Sequence, residues 1–261
     1  GNRARAWKMT ALSINLNKIA LIRNSRVTTI PNVVAHAEMC ISAGANGITV
    51  HPRPDQRHIR AQDCFDLKSA INVELNIEGN PFTEPRLSDQ PHVGDYPGFI
   101  ALVQAVGPAQ VTLVPDNDQQ LTSDHGFNVA NDGQRLEPLV KIFKDLGCRV
   151  SLFMDPEPSA MATVASLGAD RVELYTESYA RAHEAGDFEK TLTAFQETAE
   201  AAFAAGLGVN AGHDLNLSNL PDFAVPHLDE VSIGHAFTVD ALRWGIAETM
   251  SRYQQALGKN I

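Results

Sequence analysis

The chain has 261 residues, 44% hydrophobic and 20% charged, a globular balance that excludes disordered and fibrous classes. With 31 acidic against 21 basic residues the formal charge is −10, which argues against a broad cationic face for nucleic acid or anionic lipid; an anionic ligand must be met by a few placed cations. No apolar stretch approaches the roughly 18 residues of a membrane span, and Gly1 to Lys8 lacks the apolar core of a secretory signal, so a soluble cytoplasmic protein is expected.

Cys40, Cys64 and Cys148 are odd in number, widely spaced and without a C-x-x-C, which supports neither a disulfide framework nor a thiolate zinc site. Residues 1–10 read as an irregular segment ahead of the fold, with Met9 a candidate natural start, and 11–261 as a single domain.

Short β-branched or apolar runs then alternate with longer amphipathic ones. The strand candidates are Leu12–Asn17, Gly47–His51, Val73–Glu78, Gln110–Pro115, Arg149–Asp155, Arg171–Thr176, Gly208–Gly212 and Glu230–His235. Helical patterns such as Val33–Ser42, Leu136–Leu146, Lys190–Ala205 and Val239–Leu257 lie between and after them. Gly44, Gly107, Gly147, Gly168 and Gly206 each close a helix a few residues before the next strand. Eight βα units in about 250 residues predict an α/β fold, a closed (β/α)8 TIM barrel with additional helices; a doubly wound open sheet is the alternative. Pro81–Pro97, with four prolines, predicts a long inserted loop after the third strand, either a lid or an exposed insertion.

Active sites of such barrels lie at the C-terminal strand ends, and there the polar residues collect. The first strand ends Asn15-Leu16-Asn17-Lys18, the second His51-Pro52-Arg53, the third Asn76-Ile77-Glu78 and the fifth Asp155. The sixth carries Glu173, Tyr175 and Thr176, the seventh ends Asn210-Ala211-Gly212-His213-Asp214 and the eighth Gly234-His235. Period-two alternation aims Asn15 with Asn17, Asn76 with Glu78, and Glu173 with Tyr175 at one face. Glu78 follows an apolar run, where burial raises a carboxyl pKa and suits it to proton transfer; a structural ion pair with an Arg is the plainer reading. Asp155 and Glu173 are equally candidates for salt bridges. Gly212 and Gly234 expose backbone N–H groups suited to phosphate, and Arg26, Arg53, Arg57 and His58 add donors, although Arg57 and Arg60 read first as solvated loop residues.

There is no H-x-H after the first strand, no H-E-x-x-H, no G-x-G-x-x-G, no Walker sequence and no G-x-S-x-G, so the expectation is no catalytic metal and no nucleotide cofactor. The residues alone point to a barrel enzyme acting on a phosphorylated small molecule. The competing readings are a metal-dependent barrel hydrolase or aldolase using the three mouth histidines, and a non-enzymatic barrel that only binds such a molecule.

The blocks Gly47 to Ile59 (G-I-T-V-H-P-R-P-D-Q-R-H-I), Asn76 to Pro81 (N-I-E-G-N-P), Val209 to His213 and Ile233 to Ala236 carry a more specific signal. From about Leu12 to the final helix the chain resembles the pyridoxine 5'-phosphate synthase family of vitamin B6 biosynthesis. The resemblance implies a TIM barrel assembling as a homo-octamer. It also implies condensation of 1-deoxy-D-xylulose 5-phosphate with 3-amino-2-oxopropyl phosphate to pyridoxine 5'-phosphate, phosphate and water. Carried over by motif position, His51, Glu78 and His213 match acid/base residues and Glu173 a transition-state stabiliser; Asn15, Asn17, Lys18, Arg26, Arg53, His58, Thr122, Asp214, Gly234 and His235 match substrate-binding positions. The pattern departs at Asn17-Lys18, where many members have Asp-His, at Asp214, where Gly is common, and in the Pro81–Pro97 insertion. These departures bear on local substrate contacts rather than on the reaction class.

Overall fold

The computed structural model describes residues 9–259. Residues 1–8, most of the N-terminal segment set aside above, lie outside the described residues. Strands β1 (Ala11–Asn15), β2 (Gly47–Val50), β3 (Glu74–Gly79), β4 (Gln110–Leu113), β5 (Arg149–Met154), β6 (Arg171–Tyr175), β7 (Gly208–Gly212) and β8 (Leu228–Ile233) pair in chain order and all in parallel. The sheet closes because β8 pairs with β1, Ala11 opposite Glu230 through Ile14 opposite Ile233. That ladder removes both sheet edges and decides for the barrel over the open sheet.

Around it, among the described residues, stand α1 (Asn17–Asn24), α2 (Val33–Ala43), α3 (Ala61–Ala70), α4 (Phe99–Val106), α5 (Val129–Asp145), α6 (Met161–Ser166), α7 (Glu177–Glu184), α8 (Glu189–Ala204), α9 (His235–Trp244) and α10 (Ile246–Ala256). The α2 start is fixed by the Asn32 side chain, which accepts from the Ala35 N–H at 2.8 Å. All five predicted glycine junctions have positive φ, from 67° at Gly107 to 122° at Gly44, the left-handed geometry that turns a helix end back toward the sheet.

Alternation along the strands separates two environments. Leu12, Ile14, Ile48, Val50, Leu75, Ile77, Val111, Leu113, Val172, Leu174, Val231 and Ile233 all belong to one buried apolar cluster shared with the helices. Each fully buried aliphatic side chain of this kind contributes about 1.5–3 kcal/mol. The intervening positions are polar and bond to one another: Ser13 Oγ to Thr49 Oγ1 at 2.7 Å, Asn76 Nδ2 to Thr49 Oγ1 at 3.3 Å, and Thr112 Oγ1 to Asn76 Oδ1 at 3.0 Å. Lower in the barrel, Gln110 accepts from Arg149 at 2.7 Å and donates to Glu230 at 3.3 Å. The apolar core therefore lies between sheet and helices, and the interior is a polar network that leaves only a few groups, such as Ser151 Oγ and Glu173 Oε2, unpaired among the described residues.

Several boundaries differ from expectation. Asn17 and His235 begin helices instead of ending strands. The Asn15 side chain accepts from the Asn17 N–H at 2.8 Å, turning the chain out of β1 before Asn17. The single helical pattern over Val239–Leu257 is two helices, broken at Gly245 with φ 78°. α5 starts at Val129, seven residues before the apolar repeat shows it, because Asn128 caps it and Gly133 stands where a larger core residue is usual.

The 81–97 segment is a stapled loop. Arg86 and Tyr96 form an antiparallel bridge, and the buried Tyr96 hydroxyl meets Thr83 Oγ1 at 2.9 Å. Gln56 Nε2 donates to the Gly94 carbonyl at 2.8 Å, and Gln90 Nε2 to the Asp55 and Gln56 carbonyls at 3.0 and 3.1 Å, tying the insertion to the β2–α3 loop.

Candidate active site

A cavity of about 770 Å³ opens at the C-terminal ends of the strands. Asn15, Asn17, Lys18, His51, Glu78, Thr122, Glu173, His213, Asp214, Gly234 and His235 line it, so eleven of the fourteen predicted site residues meet in one place. Arg53 and His58 sit behind His51 and do not line the cavity. Arg26, in the exposed turn after α1, is outside it.

His51 directly follows β2, its N–H held by Asn17 Oδ1 at 2.9 Å. Its Nδ1 lies 3.8 Å from Glu78 Oε2 and its Nε2 3.1 Å from Asp116 Oδ2. Glu78 reaches the mouth because Asn76 and Glu78 share the inward face of β3. Burial pushes the Glu78 carboxyl up to about 7, with Asp116 and Glu230 adding repulsion and His51 opposing. At neutral pH it is therefore poised between acid and base.

Glu173, on β6, is raised well above the ordinary carboxyl range, first by burial and then by Glu78 and Glu230. Its Oε2 is buried without a hydrogen-bond partner, which disfavours the carboxylate and favours the protonated acid. Gly212 is what lets it sit there: a Cβ at 212 would come within 3.1 Å of Glu173 Oε1.

His213 leaves β7 with φ 86° and Asp214 follows at 60°, two consecutive non-glycine residues in the left-handed region. The turn lays the His213 ring against Phe153 and Tyr175, centroids 5.1 and 5.4 Å away. Burial against this apolar patch, reinforced by His51, lowers the imidazole to about 4, so His213 is neutral at pH 7. His58 is also neutral, lowered to about 3 by burial and then by His51 and the nearby arginines; its Nδ1 accepts from the Ile59 N–H at 2.8 Å.

Gly234 precedes α9, and Gly234, His235 and Ala236 at the start of that helix, which has no side-chain cap, line the cavity. A Cβ at 234 would lie 3.1 Å from Asn15 Cβ, so the close approach of β8 to β1 needs glycine. An uncrossed helix N-terminus beside a glycine turn suits a phosphate group.

Two expectations are corrected. Arg57 is not a solvated loop residue: it is about three-quarters buried, pairs with Asp55 at 2.8 Å and donates to the Gln120 and Asp118 carbonyls at 2.7 and 2.8 Å. Arg60 is partly buried at the start of α3, where its backbone N–H donates to Asp63. Asp155 is no salt-bridge partner; its carboxylate accepts from the Gly126 N–H at 3.4 Å and stands outside the lining. Among the described residues no group of three His, Cys, Asp or Glu side chains is arranged to hold a metal.

Sequence reasoning missed Asp116. It follows β4 and Pro115, a strand-end carboxylate like those singled out elsewhere, and that position was the available signal. It also missed the outer wall, Glu177, Arg181 and His183 of α7, for which the sequence carries no signal because helix placement over a mouth is a tertiary matter.

Comparison with known proteins places these features. A "Pyridoxine 5'-phosphate synthase" of Xanthomonas campestris pv. campestris (strain B100) is 55% identical over 249 residues, 94% of each chain. One of Xylella fastidiosa (strain 9a5c) is 52% identical over 253 residues, 95% of each chain. Among solved structures, the tryptophan synthase alpha chain from Legionella pneumophila subsp. pneumophila aligns with TM-score 0.60 at 12% identity, over 96% of this chain and 92% of that one. Thiamine phosphate pyrophosphorylase from Pyrococcus furiosus aligns with TM-score 0.56 at 11% identity over 96% of each. At that identity both speak to the fold alone. The family model described as "Pyridoxal phosphate biosynthesis protein PdxJ" matches residues 12–259, and this chain belongs to that family.

Proposed function

We infer that this chain is a pyridoxine 5'-phosphate synthase. It condenses 1-deoxy-D-xylulose 5-phosphate with 3-amino-2-oxopropyl phosphate to pyridoxine 5'-phosphate, phosphate and water. The observation that carries this is family membership over residues 12–259 together with an acid/base cluster at the mouth whose protonation fits the chemistry. The amine of one substrate forms the imine with the ketone of the other, so the reaction calls for neither an enzyme lysine nor a resident cofactor. The protein's task is to hold two phosphorylated molecules in register and move protons.

Glu78, with its carboxyl near 7, and His51 beside it exchange the protons of imine formation, enolisation and ring closure. Neutral Glu173 donates a hydrogen bond to oxygen as charge develops on it. His213 is neutral in the empty site and takes up its proton only when a phosphate brings negative charge close, so it becomes an acid for phosphate departure after the substrate is seated. The first turn of α9 with Gly234, His235 and Asn15 forms one anion pocket; Thr122 and Lys18 line the other, and Arg53 and His58, which do not line the cavity, stand behind it next to His51. Asn17 acts through its bond to the His51 N–H, which Asn makes as well as Asp. Asp214, exposed at the cavity rim with its carboxyl raised by desolvation and by Glu177, faces the substrate ammonium rather than a phosphate.

The unit that acts is a single barrel domain over 11–261, assembled as an octamer in the cytoplasm. Supporting assembly, Leu21, Ile22, Val27 and Ile30 are exposed together on α1 and the turn after it, and that segment carries Arg26 into any interface it forms. Supporting the compartment, the three cysteines are free and buried, and among the described residues no helix is long and apolar enough to cross a membrane.

The test is to incubate the protein with both substrates, with and without EDTA, and follow pyridoxine 5'-phosphate and inorganic phosphate together. Equimolar formation in the chelator is expected. Folded protein that forms no pyridoxine 5'-phosphate overturns the assignment, and activity abolished by chelator favours a metal-dependent barrel.

A further inference from the structure

Asp116 is buried at 8% exposure, beside His51 and Arg53. Its main chain is held by Asn80, whose Nδ2 donates to the Asp116 carbonyl at 2.9 Å. Its Oδ2 lies 3.1 Å from His51 Nε2 and 3.1 Å from Arg53 Nη2. Arg53 is anchored in turn, its Nη1 donating to the Gln120 carbonyl at 2.7 Å. Groups at the ends of β2 and β3 thus hold one carboxylate against the far side of the His51 ring by charge and proximity, Asp116 Oδ2 and Arg53 Nη2 being buried without an aligned hydrogen bond.

We propose that Asp116 is a positioning residue that sets the tautomer and orientation of His51, in a relay running Arg53, Asp116, His51, Glu78. This rests on His51 acting as an acid/base in the reaction given above. An ionised carboxylate only accepts, so an imidazole carrying a single proton beside it keeps that proton on Nε2 and presents the bare Nδ1 to Glu78. The contacts of His51, Arg53 and Arg57 hold Asp116 ionised in spite of its burial. Glu78 lies 3.8 Å from Nδ1, beyond direct hydrogen-bond range, so the substrate or a small ring rotation completes the link. When Glu78 gives its proton to Nδ1, Nε2 keeps its own, and the imidazolium is balanced by Asp116 on one side and the Glu78 carboxylate on the other. The remaining charged or titratable neighbours are Arg57, His58 and His213, and the His58 Nδ1 is already occupied by the Ile59 N–H at 2.8 Å. With Asn at 116 the side chain can both donate and accept, and the tautomer is no longer dictated.

Neutron crystallography of the wild-type protein reads this directly: deuterium on His51 Nε2 with Nδ1 bare is expected, and deuterium on Nδ1 alone overturns the proposal whatever reaction the site performs. In kinetics, Asp116→Asn is expected to lower kcat about 10- to 100-fold, part of the 10²–10⁴ a positioned acid/base supplies, with KM changed less than about threefold. Asp116→Glu, which keeps the acceptor, recovers part of that loss. A variant of unchanged kcat, or equal losses in Asn and Glu variants of normal melting temperature, overturns the positioning role. Running His51→Asn in parallel separates the two ideas: if it is inactive while Asp116→Asn is normal, only the relay fails, and if both are normal the acid/base assignment of His51 fails with it.

Discussion

Burial sets the protonation of the mouth one side chain at a time. Glu78 holds its proton to about pH 7 in the folded chain, against an ordinary value of 4.5. The native state therefore binds more protons than the unfolded one between these values, and stability falls as pH rises through that window, by roughly 3 kcal/mol for this residue. Glu78→Gln removes the cost. Its melting temperature should match the wild type near pH 4.5 and exceed it at pH 8, while kcat drops at least about 100-fold. A melting difference that does not change with pH would refute the burial account, and near-normal turnover would remove Glu78 from proton transfer. His213 works with the opposite sign: lowered to about 4, it destabilises the fold as pH falls from 6.5 toward 4, because the unfolded imidazole charges first.

At the scale of elements, glycines do two different jobs, and substitution separates them. A Cβ at Gly79, at the end of β3, would stand 2.4 Å from the ring of Phe99, which is fully buried in α4. Gly79→Ala must push helix from strand and should cost about 1–3 kcal/mol in urea unfolding, with activity falling because Glu78 is its neighbour. Gly147 meets nothing within 4 Å but has φ 87°, so Gly147→Ala is strained only in its backbone and should cost about 1 kcal/mol with activity unchanged. Equal costs with equal activities would show that the distinction between close approach and backbone geometry is wrong here. The helix ends of this second kind were readable in the chain, since a Gly just before a strand has one common structural use. The break at Gly245 was not, because an amphipathic repeat continues across it and only packing of α9 against α10 reveals two axes.

At the scale of the molecule, Val27 and Ile30 are 94% and 69% exposed in the turn carrying Arg26. Exposed apolar residues grouped in this way mark an interface. Val27→Asp combined with Ile30→Asp should shift sedimentation from eight times the chain mass to smaller species; a wild type that sediments as a monomer would end the octamer proposal.

The sequence by itself determined the barrel and most of its mouth. Strand faces repeat every two residues, so Asn76 with Glu78 and Glu173 with Tyr175 were bound to share a side, and strand ends in a closed parallel barrel were bound to meet. It could not tell that the barrel interior is polar while the apolar set faces the helices, since both faces look alike until the sheet closes. Only the tertiary structure brought Asp116 to the back of His51, turned Arg57 inward onto the carbonyls of the 118–120 loop, and kept Arg26 away from the cavity. The reason is the same in each case. Local pattern fixes which way a side chain leaves its own element, whereas its partner, its burial and hence its charge depend on segments 50 or more residues distant that meet it only when the chain is folded.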